Sequence, residues 1–378
     1  MSAAAPIELT LDQVRAFRLD RQHLLSPASN AVAAASRLLG AQAQVHSAGV
    51  LQLRARCPAV TSAEVRAALF ETRALVKMWT QRGTLHIVAA CDLPPILALR
   101  DARMPARIST FVAQGLPAKK FRKVCDAIAE AIGDAHLSRR QIADLVCPQV
   151  GEWAREWVEQ SWGSLLKSVS DPGYLCHGPT NATMGTFRRL DRWVPVERVD
   201  VEAGLAMFLD RYLEAFGPAT EQDFAKFAGL PITTARALIE RDRRKLVRVA
   251  FVGRAAWARM ADADALRGAT MPDDHLIVLP AFDPYLLAHA DTAQFVAEKY
   301  RKLVSRQSGW ISPVILRRGE VAGVWFHRPR GAGIEIDVRP FGRAEKGLRR
   351  RVADAAEALL AGLDRADRAE EAEAAGPA

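Results

Sequence analysis

Two carboxamides stand two residues apart in Gly40-Ala41-Gln42-Ala43-Gln44. An amide is a poor base, yet its carbonyl oxygen can orient a water and place partial negative charge beside a developing cation. On a helix the two side chains diverge by about 200°. In an extended or irregular stretch they share a face and can converge on one ligand. Two polar loop residues would show the same spacing, so the pair alone leaves both readings open. Around it no conventional constellation stands: no phosphate-cradling P-loop, no G-x-S-x-G elbow, no metal-ligand cluster. Eight histidines form no H-x-x-x-H pair, and Cys176-His177 reads as a structural neighbour pair. The expectation is therefore no metal and no cofactor.

The charged candidates each have a functional and a bland reading. Arg82, in the turn Gln81-Arg82-Gly83, can contact a phosphate or simply be solvated. His86, in the strand that follows, serves a site or is a satisfied strand histidine. Asp283, before Pro284, lines a DNA cleft or caps a turn. Arg317, Arg318, Arg328 and Arg330 surround the last hairpin as a phosphate patch or as solvated charge. Arg241, Arg243, Arg244 and Lys245 carry the same ambiguity. Trp153, Trp157 and Trp162 recur at near-helical spacing and read as core.

Elements that would position these residues follow from caps and turns. Thr10 with Gln13, Thr61 with Glu64, Ser138 with Gln141 and Thr220 with Asp223 are capping-box patterns that open helices. A helix from Ala31 to Leu39 should stop at Gly40, and Ser47 should cap the next. Val76–Thr80 and Thr84–Val88 flank a Gly-containing turn, as a hairpin does. Helices followed by a hairpin recur from Val124 to Val194, with a long helix expected over Trp153–Val169, and again from Val201 to Arg259. That order is the order of a winged helix-turn-helix unit, met three times. The last third alternates as strands, with a hairpin at Arg317-Arg318-Gly319-Glu320, and a helix from Ala344 to Leu363 closes it. The expected fold is α+β, mainly α, with tandem winged helix-turn-helix units and a small C-terminal antiparallel β-barrel. The expected divisions are 1–115, carrying the Gln pair, 116–200, 201–270, a barrel at 271–345, and a helix and tail at 346–378.

Composition bounds the partners. The 378 residues are 49% hydrophobic and 25% charged, which excludes disordered, collagenous and disulfide-scaffold classes. Lys plus Arg outnumber Asp plus Glu by 52 to 43, a surplus of +9 that suits a polyanionic partner or a basic surface. Five scattered cysteines without C-x-x-C argue against a disulfide framework. Met1–Pro6 lacks a secretory n-region, and no apolar run reaches the roughly 18 residues that span a bilayer. The expectation is a cytoplasmic, nucleoid-associated protein with no membrane partner.

Leu11–Leu24, Ser36–Gln44, Thr80-Gln81-Arg82-Gly83-Thr84-Leu85-His86, Gly217–Gly229, Leu279-Pro280-Ala281-Phe282-Asp283-Pro284 and Gly319–Trp325 together resemble, in order, the AlkZ-like family of bacterial DNA glycosylases. Gln42-Ala43-Gln44 matches that family's Gln-hydrophobic-Gln catalytic motif; the sister YcaQ-like branch has Asp at the second position. The resemblance implies three winged helices and a β-barrel in a C shape. It implies a monofunctional glycosylase that hydrolyses N-alkylated purines, with bulky adducts, interstrand crosslinks and self-resistance to alkylating natural products among members' roles. It further implies a monomer acting on double-stranded DNA. Glutamine suits this chemistry. A purine alkylated at N7 or N3 is already cationic and leaves without a general acid, so the remaining task is to hold water beneath an oxocarbenium-like sugar. On this chemistry Gln44 is assigned to position the water and Gln42 to support water or backbone. A non-enzymatic winged-helix regulator is the alternative, but it needs an exposed recognition helix and a dimer or ligand module. An interaction scaffold would need neither the basic surplus nor the double Gln.

Overall fold

Four helices start where a hydroxyl precedes an amide or carboxylate by three residues. In the computed structural model the hydroxyls of Thr10, Thr61, Ser138 and Thr220 each accept the N–H three residues on. The Gln, Glu or Asp there accepts the cap's own N–H. All four capping boxes are thus made, closing two orphan donors at each helix start. The structure describes residues 5–160, 165–169, 173–181, 184–306, 309–330 and 333–374. They form two compact units, Met1–Arg66 with Ala206–Ala378, and Ala67–Leu205.

The first unit opens with β1 (Ile7–Glu8), α1 (Leu11–Arg21), α2 (Ala31–Arg37), the extended pair β2 (Ala41–Gln42) and α3 (His46–Arg56). α2 is shorter than its apolar run suggests. Leu39 (φ 54°) and Gly40 (φ 109°) both take the left-handed region and swing the chain out of the helix. α4 (Ser62–Phe70) then carries the chain into the second unit.

There β3 (Leu75–Trp79) and β4 (Leu85–Ala89) form a hairpin, followed by α5 (Leu93–Ala102), α6 (Met104–Ala113), α7 (Ala118–Ile132), α8 (Arg139–Val150), α9 (Arg155–Glu159), and a second hairpin of β5 (Leu175–Asn181) and β6 (Met184–Arg189). Met78 faces Cys176, so the two hairpins make one sheet in the order β4-β3-β5-β6. Trp79 stacks on Phe187 at 5.6 Å over a core that includes Phe121, Ile128, Ile142 and Val146. The long helix expected over Trp153–Val169 is not formed: α9 ends at Glu159, and Gln160 turns extended (φ −49°, ψ 123°). Trp153 and Trp157 pack against this core; Trp162 lies outside the described residues.

α10 (Val201–Phe216) returns the chain to the first unit, where α11 (Glu221–Ala228), α12 (Ile232–Arg241), a hairpin of β7 (Leu246–Phe251) and β8 (Arg254–Arg259), and α13 (Ala263–Arg267) follow. β1 pairs parallel with β7, giving a three-stranded sheet β1-β7-β8. Phe208, Tyr212, Phe216 and Phe227 interlock α10 with α11, at ring separations from 5.0 to 6.1 Å. The remainder is β9 (Leu276–Leu279), α14 (Pro284–Leu287), α15 (Arg301–Val304), β10 (Val314–Arg317), β11 (Glu320–Arg330), β12 (Gly333–Pro340), α16 (Leu348–Leu360) and α17 (Arg365–Ala374). The whole is a mainly helical α+β protein.

The C-terminal strands do not close into a barrel. They form an open antiparallel sheet, β12-β11-β10-β9, whose outer strands do not pair with each other. Barrel closure requires strands of matched length and stagger around a ring. Here β9 and β10 have four residues each, against eleven in β11 and eight in β12. Beyond Trp325 the β11–β12 ribbon therefore runs without a third strand. α16 packs on β9 and β12 and covers the apolar face that closure would have buried. Gly319 (φ 74°) permits the β10–β11 turn, since a Cβ there would meet the Tyr285 hydroxyl at 2.8 Å and Arg15 Cβ at 2.9 Å.

One ion pair ties α3 to the turn before α14. Arg56 Nη1 and Nη2 donate to the Asp283 carboxylate at 2.7 and 2.8 Å, and both side chains are fully buried. Asp283 also accepts the Tyr285 N–H at 2.9 Å. Removing one partner strands the other charge in the core, which costs about 3–5 kcal/mol. Asp283→Asn is therefore expected to lower the unfolding free energy by several kcal/mol in urea titration; an unchanged midpoint and slope would refute that account.

Candidate active site

Ala41 and Ala43 are fully buried, Gln42 is 8% exposed and Gln44 is exposed. Gln44-Val45 form a bend, and Ala41–Gln42 ahead of it is extended chain. The sharp turn at Leu39-Gly40 imposes it by ending α2 before the motif begins. Gln52, one helix turn short of the α3 C-terminus, then fixes the strand. Its Oε1 accepts the Gln42 N–H at 2.8 Å, and its Nε2 donates to the carbonyls of Gln42 at 3.0 Å and Ala281 at 3.2 Å. A buried side-chain amide thus bonds both backbone groups of Gln42.

Immediately after Gln44 the chain enters α3. Val45 supplies no capping side chain. Ser47, expected as the cap, sits inside the first turn. The cap comes from far along the chain: the Glu370 carboxylate, on α17, accepts the N–H groups of His46 at 3.1 Å and Ser47 at 2.8 Å. An anion at a helix N-terminus is favoured by the orphan donors and the macrodipole. Gln42 and Gln44 are therefore followed by a helix start held at one end by Glu370 and carrying Gln52 and Arg56 further on.

In the second unit, Arg82 heads the β3–β4 turn in the left-handed region (φ 57°), a conformation unusual for a residue with a side chain. His86 is 1% exposed. Its Nδ1 lies 2.8 Å from Thr80 Oγ1 and 3.0 Å from the Thr84 carbonyl, and Arg82 Nη2 lies 3.4 Å from its Nε2. A proton on Nδ1 lets that nitrogen donate to Thr84 while Nε2 accepts from Arg82. Burial, then the Arg82 charge, push the His86 pKa well below the ordinary histidine range, so the ring is neutral. His86 is buried beneath Arg82 as its hydrogen-bond partner.

Asp283, paired with Arg56 and fully buried, is a core carboxylate and not a wall of a DNA cleft. Arg317 pairs with Glu345, Arg318 with Asp12 and Asp273, and Arg328 with Glu335, all partly or largely exposed. Arg330 ends β11, and its side chain lies outside the described set. Arg241 and Arg243 pair with Asp242 and Glu240. Among the described residues no group of three or more His, Cys, Asp or Glu is placed to hold a metal ion, and no helix is long and apolar enough to cross a membrane. The sequence reading missed Gln52 and Glu370. Their partners lie 10 and 324 residues away, and no local pattern marks either contact.

This mainly helical α+β fold is similar to that of a DNA-repair glycosylase. The description "DNA glycosylase AlkZ-like" matches residues 35–361, and the chain belongs to that family. The interstrand DNA cross-link repair glycosylase of Streptomyces sahachiroi is 30% identical over 351 residues, which cover 88% of this chain and 91% of that protein. The solved structure of Streptomyces sahachiroi DNA glycosylase AlkZ is similar with a TM-score of 0.83 at 28% identity, over 94% of this chain and 97% of that one. The protein is thus an enzyme, a DNA glycosylase.

Two expected outcomes follow from this geometry. Gln52→Leu removes three buried hydrogen bonds, to the N–H and carbonyl of Gln42 and the carbonyl of Ala281, at about 1–3 kcal/mol for each group left unsatisfied; chemical denaturation should show the loss, and a neutral result would mean another group holds the motif. Because folded His86 refuses a proton that unfolded histidine takes up near pH 6.5, stability is full above that pH and declines as pH falls below it. Buried His289, pushed down to about 4 by burial and then by Arg18, adds in the same direction. Melting temperature should fall between pH 7 and 5, and fall less steeply in His86→Gln; equal slopes would remove His86 from this linkage.

Proposed function

We propose that this glycosylase removes purines alkylated at N7 or N3 from double-stranded DNA, bulky adducts and interstrand crosslinks included, using Gln44 and Gln42. The observation that carries the proposal is the pinned segment, which presents two neutral amides and no carboxylate. In the reaction the C1′–N bond breaks and its electron pair neutralises the cationic base. A water oxygen adds to C1′ and loses a proton, leaving an apurinic site. The base needs no protonation, so a general acid is dispensable. Gln44, the exposed member, orients the water through its carbonyl oxygen and sets partial negative charge near the oxocarbenium-like sugar. Gln42, held by Gln52, supports that arrangement. Two amides are inadequate for an unmodified base, which protects normal DNA. The relative named as a cross-link repair glycosylase supports the bulky end of the substrate range.

Grip on the duplex falls to Arg82, backed by His86, and to Arg317, Arg318, Arg328 and Arg330. The ion pairs of the last hairpin are solvent-exposed and worth about 0–1 kcal/mol, so a phosphate can take the place of the carboxylate. The enzyme acts as a monomer without cofactor.

Release of base from duplex DNA carrying 7-methylguanine or a bulky N7 adduct tests the proposal. Gln44→Ala should cut single-turnover release by about 100-fold, the scale of one electrostatic stabiliser, with DNA affinity nearly unchanged. Full activity in that variant removes the assignment of Gln44. Binding without release by the wild type, where a control glycosylase releases base, removes the substrate class.

A further inference from the structure

Arg100, Arg103 and Arg107 follow one another at helical spacing along α5 and α6 of the second unit. With Lys167 and Gly83 they line a small recess of about 20 Å³, enough for a water or an oxyanion oxygen and too small for a base. No carboxylate lines it among the described residues. Asp101, the acid nearest Arg100, is engaged by the Tyr174 hydroxyl and faces Arg198 at 3.7 Å. The cations are held in place by backbone and hydroxyl oxygens. Arg103 Nη1 donates to the Thr80 carbonyl at 3.0 Å, Arg107 Nε and Nη2 donate to Ser168 Oγ at 2.9 and 2.7 Å, and Arg100 Nη2 donates to the Lys167 carbonyl at 3.0 Å.

Two guanidinium tips converge on one point. A Cβ built on Gly83 would lie 3.6 Å from Arg107 Nη1 and 3.7 Å from Arg103 Nη2. Arg100 is 5% exposed, and its Nη1 is buried without a hydrogen-bond acceptor. A buried guanidinium lacking an acceptor is costly unless an anion completes it. Burial holds Arg100 and Arg103 down at about 10 and lowers Lys167; neighbouring cations add to it, while Tyr174 and Asp101 partly offset it at Arg100. Arg82, beside Arg103, is lowered to about 10 in the same way. Among the described residues the recess gathers Arg100, Arg103, Arg107 and Lys167 with no carboxylate in its lining, an arrangement that suits an oxyanion.

We propose that Arg100, Arg103, Arg107 and Lys167 form a phosphate-binding site at the β3–β4 turn, its intended occupant a backbone phosphate of the DNA substrate. The identity of that occupant rests on the function proposed above; the site itself rests on the recess. Guanidinium forks suit the tetrahedral oxyanion, and Gly83 lets it approach the backbone. Arg82 on the strained turn stands at the mouth of the same cluster.

The test uses the full-length protein and the double variant Arg103→Gln/Arg107→Gln, with Arg103→Lys/Arg107→Lys as the charge-preserving control. Affinity for an undamaged duplex is measured against salt concentration, which needs no base release and so stands apart from the substrate proposal. Each phosphate contact contributes about 0.9 to the slope of log affinity on log salt. The Gln variant should lose about one unit of slope, and the Lys variant should retain most of it. In parallel, inorganic phosphate is compared with chloride at equal ionic strength by thermal melting; it should raise the wild-type Tm, and the Gln variant should lose that rise. Loss of the melting effect with an unchanged DNA slope supports the site and makes free phosphate its source. Wild-type behaviour of the Gln variant in both arms overturns the proposal. So does loss of both effects in the Lys variant as well, since that would report a structural defect and not a missing charge.

Discussion

The grip of Gln52 on Gln42 is the constraint on which the proposed catalytic segment depends. A two-residue extended stretch has no propensity worth the name, and glutamines flanked by alanines favour helix on intrinsic grounds. Ala41–Gln42 is held extended in part by a buried amide that answers both backbone groups of Gln42 and reaches on to the Ala281 carbonyl. α3 is therefore a strut. Its N-terminus is capped by Glu370, its middle holds the motif, and its last turn sends Arg56 into the Asp283 carboxylate. Each tie reaches a segment far away in sequence, so the motif inherits the rigidity of the core around it.

Charge and chemistry are divided in this molecule. The proposed reacting groups are neutral, which matches a substrate that brings its own positive charge. The basic surplus sits elsewhere, and in two different states. Around the last hairpin the arginines hold exposed carboxylates and can exchange them for phosphates at little cost. In the recess lined by Arg100, Arg103, Arg107 and Lys167 no such carboxylate is present among the described residues. A net charge of +9 does not distinguish these states; only the geometry of the partners does.

The open C-terminal sheet shows how tertiary packing overrides a strand pattern. The runs Val314–Leu316 and Val321–Phe326 around the turn at Arg317–Glu320, and the alternation along Ile334–Val338, marked three of the strands and one hairpin. Closure was a separate matter, since it depends on relative strand lengths and on what else can cover the apolar face. Short β9 and β10, long β11 and β12, and the amphipathic α16 settle it in favour of a covered sheet.

Local chemistry made much of this protein legible from sequence. Capping boxes at Thr10, Thr61, Ser138 and Thr220 fix helix starts because hydroxyl and N3 side chain act within one turn. The hairpin turn at Arg82-Gly83 is legible because glycine there relieves a left-handed backbone. Six short segments in order, from Leu11–Leu24 to Gly319–Trp325, carried the family resemblance, which the match to residues 35–361 bears out. Tertiary structure decided the rest. It placed Asp283 in the core with Arg56 and brought Glu370 across the chain to cap α3. It also stacked Arg103 and Arg107 over Gly83. The reason is physical: these outcomes depend on contacts between residues tens to hundreds of positions apart, whose energies exist only once the chain has closed the distance.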